Sequence, residues 1–225
     1  MTSLFAHRGH HVRWPENSVA AVAEAVDVGA DGVEVDVWLS ADKNLVVNHD
    51  RTLGARDVTR TSLGELAVTA PVATLGEILD AAGELLVNVE IKSTRSVAYN
   101  LAAAAAVARY LDRSSASPRC LVSSFSLAVC DEVRRISPGR RVGWLVTRQR
   151  ADAVFDRVGA SGLTSLHLPF TRVNRRVAQR AIDQGVELHV WTPTLEADLR
   201  RMLDLAVGAL ITDDVALARD LRAGR

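Results

Sequence analysis

The sequence is poor in several features that mark particular classes of protein. It has only two cysteines, at positions 120 and 130, and their spacing matches no metal-binding motif, so no disulfide framework is expected. Its 27 basic residues equal its 27 acidic residues, whereas a nucleic-acid-binding protein usually carries a basic excess. The longest apolar run, LAAAAAVARYL, is too short to span a bilayer and is interrupted by Arg109. We therefore expect neither nucleic-acid binding nor stable membrane insertion.

The first residues also lack the features of a secretory signal. An apolar stretch, SLFAHRG, begins almost at once, without a basic segment or a cleavage site. Together with the scarcity of cysteine, this predicts a reducing, cytoplasmic location. Lysine is scarce as well and occurs only at positions 43 and 92, so a retained lysine is a candidate for a functional role.

Eight short apolar segments alternate with longer segments of helical periodicity. We predict strands over residues 3–8, 32–38, 85–91, 120–124, 141–146, 165–169, 187–192 and 208–212. The helical segments fall at about 17–30, 74–82, 96–112, 126–136, 149–158, 172–184, 195–205 and 214–222. Strands separated by single helices indicate parallel βαβ units, and eight such units in 225 residues predict a closed (β/α)₈ TIM barrel of the α/β class.

An open, doubly wound sheet is the alternative architecture. It is disfavoured because AHRGHHVRWPEN, after the first strand, is not the glycine-rich phosphate loop expected there. Residues 45–48 are interpreted as a hairpin partner of the second strand, since the intervening ADKN is a turn sequence. No linker or low-complexity segment interrupts the chain, so we expect residues 1–225 to form one domain.

Side chains that could bind a ligand or take part in catalysis concentrate near the ends of the predicted strands. They are His7, Arg8, Glu34, Asp36, His49, Asp50, Asn88, Glu90, Lys92, Glu187, His189 and Trp191. In TIM barrels the active site lies at the C-terminal ends of the strands and in the loops that follow. Strand ends that are distant in sequence therefore converge on one mouth when the barrel closes.

The second strand carries two carboxylates within an apolar sequence. Glu34 and Asp36 lie two residues apart, so both point to the same face of the strand. With Glu90 they would bring three carboxylates together, which is costly in a partly buried site unless a cation compensates. Oxygen ligands suit a hard ion such as Mg²⁺ or Ca²⁺. The alternative is an ion-pair network with Arg8 or Lys92.

Two histidines and two cations accompany the carboxylates. His7 ends the first strand and His49 follows the hairpin partner, and imidazole is suited to moving protons near neutral pH. Arg8 and Lys92 supply positive charge, and an arginine can grip a phosphate through two hydrogen bonds. A metal, two cations and two histidines together are typical of a site that cleaves a phosphate ester.

Six polar residues, His189 among them, receive structural interpretations. We expect hydrogen-bonded core positions for His167 and His189, an exposed loop for His10 and His11, and capping of the last helix by Asp213 and Asp214.

Five motifs occur in a characteristic order: FAHRG, PENS, GADGVEVDVWLSADKNLVVNHD, TLGEIL and VEIKS. In this order they resemble the glycerophosphodiester phosphodiesterases. The later segments SSFS, VWT and ITDD also look like landmarks of that family's barrel, so the resemblance runs over about residues 3–215. It implies a metal-dependent enzyme that hydrolyses a glycerophosphodiester to sn-glycerol 3-phosphate and an alcohol such as choline, ethanolamine or glycerol.

The resemblance implies catalytic and metal-binding roles residue by residue. His7 and His49 match the family's two catalytic histidines, and Glu34, Asp36 and Glu90 match its metal ligands. A route proposed for the family uses the neighbouring glycerol hydroxyl as nucleophile, giving a cyclic phosphate that water then opens. One histidine then acts as base and the other as acid, and direct attack by water is the alternative.

The resemblance also implies residues that contact the substrate or support the site. Arg8 matches a phosphate-contacting arginine, and Lys92 matches a lysine beside the metal and the phosphate. Trp191 matches a tryptophan that walls the pocket. Glu16 and Asn17 match the motif after the first strand, where they are expected to support the metal and phosphate contacts.

The chain departs from the family's pattern after the HD motif. The family usually carries a sizeable insertion there, whereas about 25 residues separate His49 from the next predicted helix. We therefore expect a reduced insertion after the second strand, a small lid and a more open pocket. Pro193 follows VWT where the family often has asparagine, and ITDD lacks the usual proline.

Two other functions are compatible with these residues. A lysophospholipase D-type or sphingomyelinase D-like phosphodiesterase would act on a lipid and would favour an apolar groove near the mouth, to which Val12, Trp14 and Trp38 could contribute. A non-catalytic barrel that binds a phosphodiester would be expected to lack a histidine or a metal carboxylate, and none is missing.

Overall fold

The chain forms a closed barrel of eight parallel strands over the part that the structure, a computed structural model, describes, residues 1–149 and 151–224. Its strands are Ser3–His7, Gly32–Leu39, Leu86–Ile91, Cys120–Ser124, Arg141–Leu145, Ser165–Pro169, Glu187–Trp191 and Ala209–Thr212. Each strand pairs with the next, and the eighth pairs with the first, which closes the barrel. The predicted TIM barrel is confirmed, and each predicted strand agrees with the observed one to within one residue at either end.

The helices lie outside the barrel, as the βαβ pattern predicts. In the described residues they are Val19–Asp27, Leu63–Thr69, Leu75–Ala81, Val97–Arg113, Leu127–Ile136, Ala151–Ser161, Arg175–Asp183, Glu196–Asp204 and Val215–Ala223. The first is capped by Ser18, whose side chain accepts the Ala21 N–H. The predicted helix over 149–158 includes residue 150, which lies outside the described residues.

The second strand shows how one sequence serves two environments. All eight of its residues are buried, and Val33, Val35 and Val37 join the core between barrel and helices. The alternate residues point into the barrel. At the start of the strand, a Cβ on Gly32 would lie 2.6 Å from the Phe5 ring, so glycine is required for the ring to fill the barrel floor.

The reduced insertion after the second strand folds around its own small core. Leu45–Val47 pairs antiparallel with the second strand and with Ala73–Thr74, which ties both ends of the insertion to the barrel. Its core consists of Trp38, Val46, Val58 and Leu66. Trp38 is therefore a packing residue rather than part of an exposed apolar groove.

The helix Leu63–Thr69 within this insertion was not predicted. Its signal is the sequence SLGE, in which the Ser62 hydroxyl accepts the Glu65 N–H while the Glu65 carboxylate accepts the Ser62 N–H. This capping box is a recognisable helix start, but the helix is too short to show a clear apolar periodicity.

Two stacked histidines fill the middle of the barrel. The rings of His167 and His189 have centroids 4.4 Å apart, and both residues are buried. His167 Nε2 lies 2.9 Å from Ser165 Oγ, and His189 Nε2 lies 3.3 Å from Glu187 Oε2. Room for the pair comes from Gly143, where a Cβ would meet His167 Nε2 at 2.2 Å. The interpretation of both histidines as hydrogen-bonded core residues is confirmed.

None of the helices in the described residues combines the length and the apolar character needed to cross a bilayer.

The buried histidine pair should make the fold sensitive to acid. Burial, and next the neighbouring His189, lowers the pKa of His167 well below its usual value. The unfolded chain binds a proton there below a pH of about 6.5 while the folded chain does not, so the free energy of unfolding falls as the pH drops below that value. We expect His167→Gln to reduce the slope of the free energy of unfolding against pH by up to about 1.4 kcal/mol per pH unit. Urea denaturation over an acidic pH series measures this slope.

His49→Gln, at a partly exposed position, is the matched control for removing a histidine. Equal flattening in both variants would show that the barrel-centre pair is not the source of the acid sensitivity.

Candidate active site

Strand register brings the carboxylates and one histidine together at the C-terminal end of the barrel. Between the first and second strands His7 is paired with Glu34. Between the second and third strands Glu34 is paired with Asn88, and Asp36 is paired with Glu90. Because all these positions face the barrel interior, their side chains share one site.

Glu34, Asp36 and Glu90 form a buried carboxylate cluster. One oxygen of each lies within 4.8 Å of the others, and the residues are 4%, 1% and 7% exposed. Burial, and next the charge of Asp36, raises the pKa of Glu34 well above its usual range and raises that of Glu90 to about 7. At neutral pH three ionised carboxylates this close need positive charge beside them.

Asp36 is the carboxylate that protein donors hold most firmly. It accepts hydrogen bonds from Asn17 Nδ2 and Lys92 Nζ, both at 2.9 Å, and the Arg8 Nε lies 3.4 Å away. Burial acts to raise the pKa of Asp36, but Lys92, Asn17 and Arg8 together outweigh it and lower that pKa. Lys92 Nζ also lies 3.0 Å from Glu90 Oε1, so one ammonium bridges two of the three carboxylates.

The donor set fits a hard divalent cation. Lys92 bridges the other two carboxylates, whereas Glu34 accepts a hydrogen bond from the Arg8 backbone N–H at 3.3 Å. Asn88 Oδ1 is buried beside Glu34 and has no hydrogen-bond partner among the described residues, which offers a further oxygen. An all-oxygen set with excess negative charge suits Mg²⁺ or Ca²⁺. The ion-pair network expected as an alternative is present, but among the described residues it gives Asp36 and Glu90, and not Glu34, a direct ion pair with Arg8 or Lys92.

Arg8 sits at a strained turn between the first strand and the first helix. Its φ of 57° lies in the left-handed region, which a non-glycine residue adopts at a cost of order 1–3 kcal/mol. Its guanidinium donates to both Glu16 oxygens at 2.8 Å, and its side chain is 18% exposed. Glu16 thus directs the guanidinium along the cavity wall, where it can receive an anion.

The two candidate histidines lie on the same cavity but differ in their support. His7 Nδ1 lies 2.6 Å from Asp213 Oδ1, and its Nε2 lies 3.9 Å from Glu34 Oε2. His49 Nδ1 lies 2.9 Å from the carboxylate of its neighbour Asp50, and its side chain is 37% exposed against 20% for His7. His7 is therefore fixed by the barrel, whereas His49 stands on the rim.

Two structural interpretations from the sequence are wrong. Asp214 alone caps the last helix, by accepting the Leu217 N–H at 3.0 Å, while Asp213 turns to His7. His10 is buried rather than exposed. Its backbone N–H donates to the Ala21 carbonyl, which holds the loop against the first helix. Asp213 could have been found as the residue just after the eighth strand, which a closed barrel places beside the first.

Apolar side chains also line the cavity, which has a volume of about 140 Å³. They are Phe125, Leu145, Trp191 and Ile211. The Phe125 and Trp191 rings meet edge to face with centroids 5.9 Å apart. Sequence reasoning identified Trp191 and overlooked Phe125, although Phe125 directly follows the fourth strand. The cavity lining therefore combines charged groups that suit an anion with apolar groups that suit hydrocarbon.

Residues 7–217 match the sequence profile of the Glycerophosphoryl diester phosphodiesterase family. The chain belongs to this family. The resemblance carried by the sequence motifs is thereby confirmed, and the chain is a phosphoric diester hydrolase.

Several related proteins match this chain over nearly its whole length. A Glycerophosphodiester phosphodiesterase from Caldanaerobacter subterraneus subsp. tengcongensis is 28% identical over 232 residues, covering 95% of this chain and 94% of the relative. The crystal structure of a glycerophosphodiester phosphodiesterase from Parabacteroides distasonis has a TM-score of 0.87 at 25% identity, covering 100% and 98% of the two chains. An Oleispira antarctica phosphodiesterase, solved with the product sn-glycerol-3-phosphate, shares the fold with a TM-score of 0.88 at 21% identity, covering 98% and 96%.

Two carboxylates of the site should have opposite effects on the metal-free protein. The raised pKa of Glu34 means that ionising it near neutral pH costs stability, so Glu34→Gln should raise the free energy of unfolding. The lowered pKa of Asp36 means that its charge stabilises the fold, so Asp36→Asn should reduce that free energy. We expect changes of about 1–3 kcal/mol in each direction, by urea denaturation in EDTA at neutral pH. A loss of stability in both variants would contradict this assignment of charge.

Proposed function

We propose that the chain hydrolyses small glycerophosphodiesters to sn-glycerol 3-phosphate and an alcohol, with a divalent metal held by Glu34, Asp36 and Glu90. The observation that carries this proposal is the buried carboxylate cluster, whose charge Lys92 and Arg8 compensate only in part and which shares one cavity with two histidines. Mg²⁺ or Ca²⁺ is the ion that its oxygen donors favour. When bound, the ion supplies Lewis-acid stabilisation of the phosphoryl oxygens.

The chain's own cations position the phosphate. Arg8 and Lys92 line the cavity on the side of the carboxylates, and their charges oppose the negative charge that grows on the phosphoryl oxygens during attack. Glu16 holds the Arg8 guanidinium, and Asn17 holds Asp36, so both residues keep the site in place before substrate arrives. Trp191 and Phe125, whose rings meet edge to face, contribute apolar surface to the same cavity.

The two histidines move the protons. One removes the proton from the attacking hydroxyl, which belongs either to the neighbouring glycerol carbon or to water, and the other donates a proton to the oxygen of the leaving alcohol. His7 and His49 both line the cavity, so each can reach one side of a phosphate bound there. General acid–base catalysis of this kind typically contributes about 10²–10⁴ in rate.

Relatives support the choice of substrate. The Caldanaerobacter relative is named a Glycerophosphodiester phosphodiesterase, and the Oleispira structure holds sn-glycerol-3-phosphate. The cavity volume of about 140 Å³ favours a compact diester over a lipid. A lysophospholipid nevertheless remains the test of the lipid alternative, because the lid is small and Phe125 and Trp14 are 41% and 45% exposed.

Hydrolysis of glycerophosphocholine should require both the metal and the assigned residues. We expect sn-glycerol 3-phosphate release with Mg²⁺ or Ca²⁺ and none in excess EDTA. Glu34→Ala should abolish release because it removes a metal ligand, and His49→Ala should lower kcat about 10²–10⁴-fold because it removes a proton-transfer group. Release is followed by a coupled glycerol 3-phosphate assay.

Glu84→Ala, which removes an exposed carboxylate outside the cavity, is the matched control and should keep full activity. Lysophosphatidylcholine is assayed beside glycerophosphocholine. Faster turnover of the lipid would replace the proposed substrate by the lysophospholipase D-type alternative. Metal binding without turnover of either substrate would support a phosphodiester-binding barrel instead.

A further inference from the structure

Asp213 lies at the closing seam of the barrel, where the eighth strand meets the first. The pairing of Ala6 with Thr212 places the residues that follow them, His7 and Asp213, side by side. Their side chains join through His7 Nδ1 and Asp213 Oδ1 at 2.6 Å. Because the two residues are 206 positions apart in sequence, only closure of the barrel creates this pair.

The backbone on both sides of Asp213 is held in place. Thr212 is fully buried, and its hydroxyl donates to the Pro193 carbonyl at 2.6 Å while accepting the Asp214 N–H at 3.1 Å. Asp214 in turn caps the last helix. The Asp213 carboxylate therefore projects from a fixed segment rather than from a loose loop, which is what orientation of a partner requires.

The hydrogen bond determines which nitrogen of His7 carries hydrogen. The hydrogen bond from His7 lowers the pKa of Asp213 and outweighs burial, which acts to raise it, so this carboxylate is ionised and can only accept. Neutral His7 must then carry its hydrogen on Nδ1 and leave the Nε2 lone pair free. Nε2 is the nitrogen on the side of Glu34, at 3.9 Å from its carboxylate.

We propose that Asp213 is a positioning residue that holds His7 in the Nδ1–H form, with Nε2 presented to the reacting phosphodiester. This inference rests on the proposed function, because it assigns a partner to one of its two proton-transfer groups. It also explains an asymmetry of the site: His7 is oriented by a residue that is distant in sequence, whereas the partner of His49 is its sequence neighbour.

One neighbour competes for the same carboxylate. His11 Nε2 lies 3.4 Å from Asp213 Oδ1, against 2.6 Å for His7 Nδ1. A distance of 3.4 Å exceeds that of an ordinary N–H···O bond, so His7 is the principal partner. If Asp213 served His11 instead, the tautomer of His7 would not depend on it.

Asp213→Asn tests the proposal, with Asp214→Asn as the matched control at the adjacent position. An asparagine amide can donate to Nδ1 and hold the other tautomer, so Asp213→Asn should lower kcat for glycerophosphocholine roughly 10- to 100-fold with little change in KM. The control keeps an asparagine cap on the last helix and should retain activity. Asp213→Glu retains the carboxylate and should recover part of the loss.

The second measurement is independent of turnover. Nitrogen and proton NMR of ¹⁵N-histidine-labelled protein reports the tautomer of His7 directly. We expect the Nδ1–H form in the wild type and its loss in Asp213→Asn, with Mg²⁺ affinity unchanged. Wild-type kcat in Asp213→Asn, or the same His7 tautomer in both proteins, would overturn the assignment. Absence of turnover in the wild type would instead count against the proposed function.

Discussion

Mutual repulsion among three buried carboxylates is the constraint on which the rest of the site depends. Glu34, Asp36 and Glu90 are brought together by strand pairing, and their raised or lowered pKa values show how unevenly the protein compensates them. Lys92 neutralises part of their charge, whereas the Arg8 guanidinium also donates hydrogen bonds to Glu16. A flexible scaffold would relieve the repulsion by moving apart. Continuous hydrogen bonding around a closed barrel prevents that and keeps the site ready for a cation.

Much of the architecture could be predicted from the sequence because it is written in local periodicity. Alternation of apolar segments predicts the strands, and the two-residue spacing of Glu34 and Asp36 predicts a shared face. The role of Asp213 could not be read in this way, since its neighbour in sequence is a genuine helix cap and its neighbour in space lies at the other end of the chain. His10 was misread for a related reason: its burial comes from packing on a helix, which no local pattern records.

The insertion shows how a short segment can carry a functional group without a large lid. Trp38 extends from the second strand into the small core of the insertion and donates its indole N–H to the His49 carbonyl at 3.3 Å. The rim histidine is thus tied to a residue two positions beyond Asp36, while its ring stays partly exposed. The cavity is thus lined by one histidine that is held by a residue distant in sequence and by one that is more accessible.

The packed floor of the barrel has a kinetic consequence. The floor of the barrel is closed by an apolar cluster of Phe5, Leu121, Ala209 and Ile211. Substrate and both products must therefore enter and leave through the mouth. Once the ester bond breaks, the phosphate monoester carries an additional negative charge, which Arg8 and Lys92 attract, whereas the neutral or cationic alcohol has no such attraction to these two cations. The products should therefore leave in order, the alcohol first. The phosphate monoester, which is retained longer, would inhibit the enzyme wherever it accumulates.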